Sequence, residues 1–206
     1  RQLRPQIEGV STWTFAAQVA ERYTAGRCFL VGDAAHRATP RGGTGMNTAI
    51  QDSFDLGWKL AWVLRGWAGP ELLATYERER RPAAAHTVQR SSEATGARRE
   101  TAEALPWDLG GRLPHHWLTA GERQLSTVDL IGDGLTLLAG PSDPRWKRFA
   151  AAMPPSPPID VHELDAGTAA ALDLPPAGAL LARPDGRELR RWTDFDPEGV
   201  RWSKHA

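Results

Sequence analysis

Three features follow one another between residues 26 and 58, and each has chemistry open to it. A compact apolar run, Cys28-Phe29-Leu30-Val31, ends abruptly in Gly32-Asp33. The glycine lets the backbone turn sharply and leaves a carboxylate where the strand stops. Open α/β sheets bind ligands at the carboxyl ends of their strands. A carboxylate there accepts hydrogen bonds from ligand hydroxyls, although capping or bracing the turn is the commoner duty of such an aspartate. The loop His-Arg-Ala-Thr-Pro-Arg-Gly-Gly-Thr-Gly then spans residues 36–45. Gly42, Gly43 and Gly45 permit positive φ and close backbone approach. They lead into a helix whose first amides are free and whose dipole is positive at that end. This favours an anion or a developing negative charge, though glycine-rich loops most often simply turn.

The elements that must position these groups can be read from local pattern. A short strand is expected at 11–15, followed by a helix or loop through Tyr23. The run 28–31 has no polar alternation and reads as a strand buried on both faces. A long helix is expected over 46–65, with Met46, Ile50, Phe54, Trp58, Ala61 and Leu64 on one apolar face, Thr44 as N-cap and Gly66 as its stop. A second helix begins near Pro70 and carries Leu72, Leu73 and Tyr76 inward. Its tail, Glu77-Arg78-Glu79-Arg80-Arg81, reads as a solvated end, and Pro82 should break or kink it before a further helical stretch over 83–104. A Pro/Gly-rich linker covers 105–116.

Beyond 117 the texture changes to strands at 127–131, 135–139 and 159–164, helices at 146–153 and 167–172, and a hairpin of 178–183 with 188–192 about Pro184-Asp185-Gly186. That order describes a small α/β domain. The division expected is therefore 1–104, linker 105–116 and 117–206.

The 206 residues carry 25 basic and 25 acidic side chains, so net charge offers no case for nucleic acid or an anionic membrane as partner. No apolar run is long enough to span a bilayer. Cys28 is the only cysteine, which excludes an internal disulfide and a cysteine metal cluster and fits a reducing cytoplasm. His115-His116 has the look of a metal pair, but adjacent residues point apart on regular elements and no carboxylate motif stands near, so no metal is assigned. His36 is read as a structural hydrogen-bonding group, Arg41 as a contact residue or a solvated loop residue, and Trp58, Trp62 and Trp67 as packing. No side chain is assigned as a catalytic acid or base.

Taken together, residues 26–36 (Gly-Arg-Cys-Phe-Leu-Val-Gly-Asp-Ala-Ala-His), 40–47 (Pro-Arg-Gly-Gly-Thr-Gly-Met-Asn), Asp52, Trp58-Lys59-Leu60-Ala61 and 76–82 (Tyr-Glu-Arg-Glu-Arg-Arg-Pro) form a dense, ordered pattern. It resembles the FAD-dependent aromatic hydroxylases, the single-component flavoprotein monooxygenases that include phenol and polyketide hydroxylases. Residues 113–118, 126–130 and 182–186 are similar to that family's thioredoxin-like tail. The resemblance implies the C-terminal part of a Rossmann-like FAD-binding domain with long helices, followed by a small thioredoxin-like α/β domain. It places Gly32 and Asp33 at the FAD ribityl chain and Pro40, Gly42, Gly43 and Gly45 against the isoalloxazine. Gly45, Met46 and Asn47 then face the flavin pyrimidine carbonyl.

The reaction implied uses NAD(P)H to reduce FAD and a flavin hydroperoxide to hydroxylate a small aromatic substrate, a polyketide or a phenol. The tail, lacking a cysteine pair, is left with packing or a homodimer contact. The family's Gly-x-Gly-x-x-Gly pyrophosphate turn does not occur in this sequence. It is expected upstream, together with the nicotinamide segment and most of the substrate sheet, so the chain alone is not expected to turn over. A non-catalytic relative that binds flavin weakly or serves as an interaction module, and an oxidase or epoxidase on the same fold, are the competing readings.

Overall fold

A computed structural model of the protein describes residues 6, 8–93, 111–120 and 123–196. Its first half is built on two helices. α1 (Gly45–Leu64) follows the glycine-rich loop and ends at Gly66, whose φ of 69° is the left-handed conformation that closes a helix at little cost to glycine. A 3-10 turn at Pro70–Leu73 leads into α2 (Ala74–Ser92). Pro82 lies inside α2 without ending it, contrary to expectation. The residue four before it, Arg78, is exposed, as is Pro82 itself, so the carbonyl that loses its amide partner faces water. The expected helix over 83–104 is thus a continuation of α2, and its part beyond 93 lies outside the described residues.

Four strand stubs sit around these helices: β1 (Gln18–Val19) pairs with β4 (His36–Arg37), and β2 (Thr24–Ala25) with β3 (Cys28–Phe29), both antiparallel. The strand expected at 11–15 does not form; the chain there is irregular up to β1. The strand expected over 28–31 shrinks to two residues, and Cys28 and Leu30 are exposed rather than buried on both faces. Among the described residues its only strand partner is the hairpin neighbour β2.

The second half opens with a hairpin, β5 (Trp117–Ala120) and β6 (Arg123–Ser126), that no sequence pattern announced. The next segment is a 3-10 turn at Thr127–Leu130 rather than the expected strand. Ser126 Oγ accepts from the Val128 amide and Asp129 accepts from the Ser126 amide, a reciprocal cap that favours helical over extended backbone. β7 (Leu135–Ala139), α3 (Arg145–Ala152), β8 (Ile159–Glu163), α4 (Ala166–Ala171), β9 (Ala179–Ala182) and β10 (Glu188–Trp192) fall where pattern placed them, within a residue or two at each end. They form one sheet in the order β10-β9-β7-β8, antiparallel except for the β7–β8 pair joined through α3.

Every residue of the central β7 is buried. Leu135 and Leu137 face one cluster with Trp146, Trp192 and the helix α1 residues Trp58 and Trp62. Leu138 faces the opposite cluster with Leu164, Leu172 and Leu180. The two halves therefore share a core, and each large apolar side chain buried there contributes roughly 1.5–3 kcal/mol. Trp62 also donates its indole N–H to the Asp133 carbonyl at 2.8 Å, fixing α1 to the loop that enters β7.

Candidate functional site

Of the apolar face expected for α1 only Trp58 is buried and Ala61 half-buried, and the face turned inward adds Leu56 and several polar residues. Met46, Ile50, Phe54 and Leu64 are 72%, 58%, 49% and 84% exposed. The buried stripe is Thr48, Asp52, Asp55, Trp58, Lys59 and Trp62. Charged groups go inside only when paired, and each of these is paired by a residue distant in sequence.

Asp52 is completely buried and uses both carboxylate oxygens. Oδ2 lies 2.8 Å from His36 Nε2, and Oδ1 accepts from Arg80 Nε at 2.8 Å. Arg80 also donates to the Thr48 carbonyl at 3.4 Å. One turn along, Lys59 Nζ donates to Asp55 Oδ2 at 2.6 Å and lies 3.3 Å from Glu79 Oε2. Arg183, from the start of the β9–β10 turn, reaches back with both Nη atoms to the Glu79 carboxylate at 3.0 and 2.8 Å and also pairs with Asp185. Arg187 approaches Glu79 at 3.4 Å.

Burial alone would raise the Glu79 carboxyl, but Arg183 and Lys59 outweigh it and hold the group at about 2. Asp55 goes the other way, pushed up by burial that Lys59 only partly offsets. Oxygens of Asp55, Glu79 and Asp185 lie within 4.8 Å of one another, close enough for a metal ion. Lys59, Arg183 and Arg187 already balance them one for one, so no metal is assigned there.

The segment 77–81 is therefore not the solvated helix end expected. Glu77 accepts from the amides of Tyr23 and Thr24 at 2.9 and 3.0 Å, which hold its carboxyl below the usual range. Glu79 grips the tail, Arg80 grips Asp52, and Arg81 donates to the Ala20 carbonyl. Successive helix residues turn by about 100°, so α2 holds four different parts of the chain from one turn.

The residues singled out around the Gly-Asp motif lie as follows. Gly32 is buried with φ 59°, and a Cβ on it would meet the Ala49 Cβ at 3.1 Å. Asp33 sits in a 3-10 turn, Gly32–Ala34, and is exposed. It lines a hollow of about 490 Å³ together with Gln18, Val19, Glu21, Ala34 and Arg37. Among the described residues no hydrogen bond engages its carboxylate, and it does not cap its own turn. Pro40 opens a turn closed by Gly43 N–H to its carbonyl at 3.2 Å, with Gly42 and Gly43 at φ 77° and 63°. Gly45 is the first residue of α1, in close approach to Ala38, and Met46 and Asn47 are exposed on its first turn.

Gly32 and Gly45 thus bring the strand end and the helix start against each other, although the loop glycines do not themselves line the hollow beside Asp33. The loop is anchored from behind: Thr39 donates its amide to Ser91 Oγ and its hydroxyl to the Ser91 carbonyl, and Arg41 donates to the Ser92 carbonyl at 3.5 Å. His115 bonds Ser126 Oγ at 2.6 Å.

Residues 1–91 match the family described as FAD binding domain, and residues 107–189 match that described as aromatic-ring hydroxylase, C-terminal. A putative polyketide hydroxylase of Streptomyces halstedii is 34% identical over 93% of this chain and 45% of its own length. Aklavinone 12-hydroxylase RdmE of Streptomyces purpurascens is 34% identical over 90% of this chain and 43% of its own. The two halves of this chain thus match, in turn, the FAD-binding and C-terminal parts of aromatic-ring hydroxylases. The chain spans less than half the length of these relatives. The structure of aklavinone-11 hydroxylase in ternary complex with FAD and aklavinone superposes with a TM-score of 0.75 at 33% identity, covering 89% of this chain and 43% of that one. The mixed α/β fold is thus that of solved FAD-dependent hydroxylases. Among the described residues no helix of this chain is long and apolar enough to cross a membrane.

Proposed function

We propose that this chain is the part of a flavoprotein aromatic monooxygenase that holds the ribityl and isoalloxazine side of FAD, ahead of a thioredoxin-like tail that packs against it. The observation that carries the reading is Asp33. Its neighbours Gly32, Ala35 and His36 are buried, while its own carboxylate stands exposed over a hollow with no internal bond among the described residues. An aspartate bracing its own turn would be spent; this one is free to accept from the hydroxyls of a polyol chain.

Gly42, Gly43 and Gly45 let a flat ring approach the backbone, and the first amides of α1, at half-buried Gly45 and exposed Met46 and Asn47, offer donors to an oxygen that gains negative charge. These residues fit a flavin. When bound it supplies hydride acceptance from NAD(P)H and oxygen activation for ring hydroxylation; the protein orients it and excludes water. The exposed stripe Met46, Ile50 and Phe54 is the surface that the rest of such an enzyme would cover. The relatives' names, polyketide and aklavinone hydroxylases beside 4-methyl-5-nitrocatechol and 2,4-dichlorophenol monooxygenases, support an aromatic polyketide or a phenol as the substrate class. Soluble cytoplasmic residence completes the reading, and a tail-to-tail homodimer remains part of it.

The test is titration of the chain with FAD followed by flavin fluorescence, with Asp33→Ala alongside. Saturable quenching that Asp33→Ala weakens about tenfold, as loss of hydrogen bonds to a charged group should, supports the assignment. Equal binding by both proteins refutes the role of Asp33.

A further inference from the structure

Asp52 touches no surface and does not line the hollow beside Asp33, yet it joins the segment that follows Asp33 to α1, two segments on which the flavin reading depends, and ties both to α2. We infer that Asp52, held between His36 and Arg80, is a positioning residue. It sets the spacing between the Asp33 turn and the N-terminus of α1 without touching cofactor. The inference rests on the flavin reading of those two segments.

The geometry is specific. His36 lies three residues beyond Asp33, in β4, and its ring is 2% exposed with Nε2 aimed at Asp52 Oδ2. Asp52 lies two turns into α1 from Gly45. Arg80, equally buried, ties the other oxygen to α2 and reaches the Thr48 carbonyl one turn closer to the helix start. Thr48 closes the chain by bonding back to the Thr44 carbonyl at 2.9 Å and to Thr87 Oγ1 at 3.2 Å.

A carboxylate only accepts hydrogen bonds, so both bonds run toward Asp52 and the proton sits on His36 Nε2. Each is charge-assisted and shielded from water, where such bonds are strongest. The Gly32–Ala49 contact gives these segments steric closeness; the Asp52 bonds give them orientation. Any shape-filling apolar residue at 36 would keep the packing and lose the orientation, which separates a positioning role from a space-filling one.

The experiment compares wild type, His36→Gln, His36→Leu and Asp52→Asn, using FAD affinity together with backbone amide NMR of the flavin-free chain. Glutamine places a donor near the position of His Nε2; leucine fills the space without one. His36→Gln should bind FAD within about threefold of wild type, while His36→Leu and Asp52→Asn should lose about tenfold or more. The Asp33, Gly43 and Gly45 amide signals should move in the last two and stay in His36→Gln. Should Asp52→Asn fail to fold, the glutamine–leucine comparison at position 36 decides alone. If Gln and Leu behave alike in both readouts, the positioning role is overturned. If wild type binds no FAD but the amides still sort by donor at position 36, the flavin reading falls and the positioning role stands.

Discussion

Removing Arg183 tests whether the tail is held to the helical half by a desolvated ion cluster or by apolar packing alone. In Arg183→Ala the Glu79 carboxylate loses two hydrogen bonds, at 3.0 and 2.8 Å, and Asp185 loses both bonds from Arg183 while keeping the Arg187 amide at 3.2 Å. The guanidinium also leaves the Trp58 ring, whose centroid is 5.2 Å away. Three carboxylates then face two cations, Lys59 and Arg187, in a region where Arg183 and Glu79 side chains are only 13% and 19% exposed. Breaking a buried pair by deleting one partner costs about 3–5 kcal/mol. Lys59 and Arg187 remain beside Glu79 and recover part of this, so about 2–3 kcal/mol is expected.

Urea unfolding followed by tryptophan emission reads the change directly, because Trp58, Trp62, Trp146 and Trp192 share the core cluster between the halves. A cycle with Glu79→Gln should return a coupling of about 1–3 kcal/mol, little altered by salt because the pair is shielded. A loss below about 0.5 kcal/mol, or a coupling that vanishes in salt, is the behaviour of a surface pair and would refute the reasoning.

Two further outcomes follow from the same geometry. Glu79 has its folded value lowered from the ordinary 4.5 to about 2, so its stabilising contribution is complete above 4.5 and is lost as pH falls toward 2. Asp55, raised in the fold, works in the opposite direction. Glu79→Gln should therefore flatten the acid limb of a stability–pH curve between about 4.5 and 2, and an unchanged limb would show that Glu79 does not govern it. Gly26 and Gly32 share a φ of 59°, but only Gly32 faces a neighbour, Ala49 at 3.1 Å. Both alanine variants should lose about 1 kcal/mol to left-handed backbone strain, and Gly32→Ala should lose measurably more in thermal unfolding; equal losses would mean that α1 is not pressed against the motif.

What was legible in the sequence was what the backbone dictates locally. Gly32, Gly42 and Gly43 all adopt positive φ, so glycine there is a geometric demand that a reader can recognise. The end of α1 at Gly66, and the strands and helices after 134, follow from glycines and prolines beside periodic runs and from the Asp165 cap, whereas Thr44 precedes α1 without a side-chain cap bond. The apolar stripe of α1 misled because burial was inferred from hydrophobicity alone. A second stripe, Thr48, Asp52, Asp55 and Lys59, has the same helical spacing and carries mixed charge. It goes inside because its partners, Arg80 and Arg183, arrive from 28 residues away in one case and from the second half of the chain in the other. No local window contains them. The hint available was that a carboxylate four residues before a lysine on one helix face coincides with a charge-dense turn on the next helix.

The same long-range pairing explains why α2 tolerates its proline and its near absence of an apolar face. Helices are ordinarily held by an apolar stripe. Beside the buried Tyr76, Ala84 and Val88, α2 is held by specific bonds from Glu77, Glu79, Arg80 and Arg81 to the β2 segment, the tail, α1 and the β1 segment in turn. Such an arrangement fixes direction where an apolar stripe fixes only proximity, since each bond specifies both a distance and an angle. Orientation is what the proposed flavin-binding edge would require, because on that reading Asp33 and the first amides of α1 face one ligand from two elements. On the proposed flavin reading, the charge-dense turn at 77–81 is the frame of the site, and Asp33 and the first residues of α1 are the part that would meet the ligand.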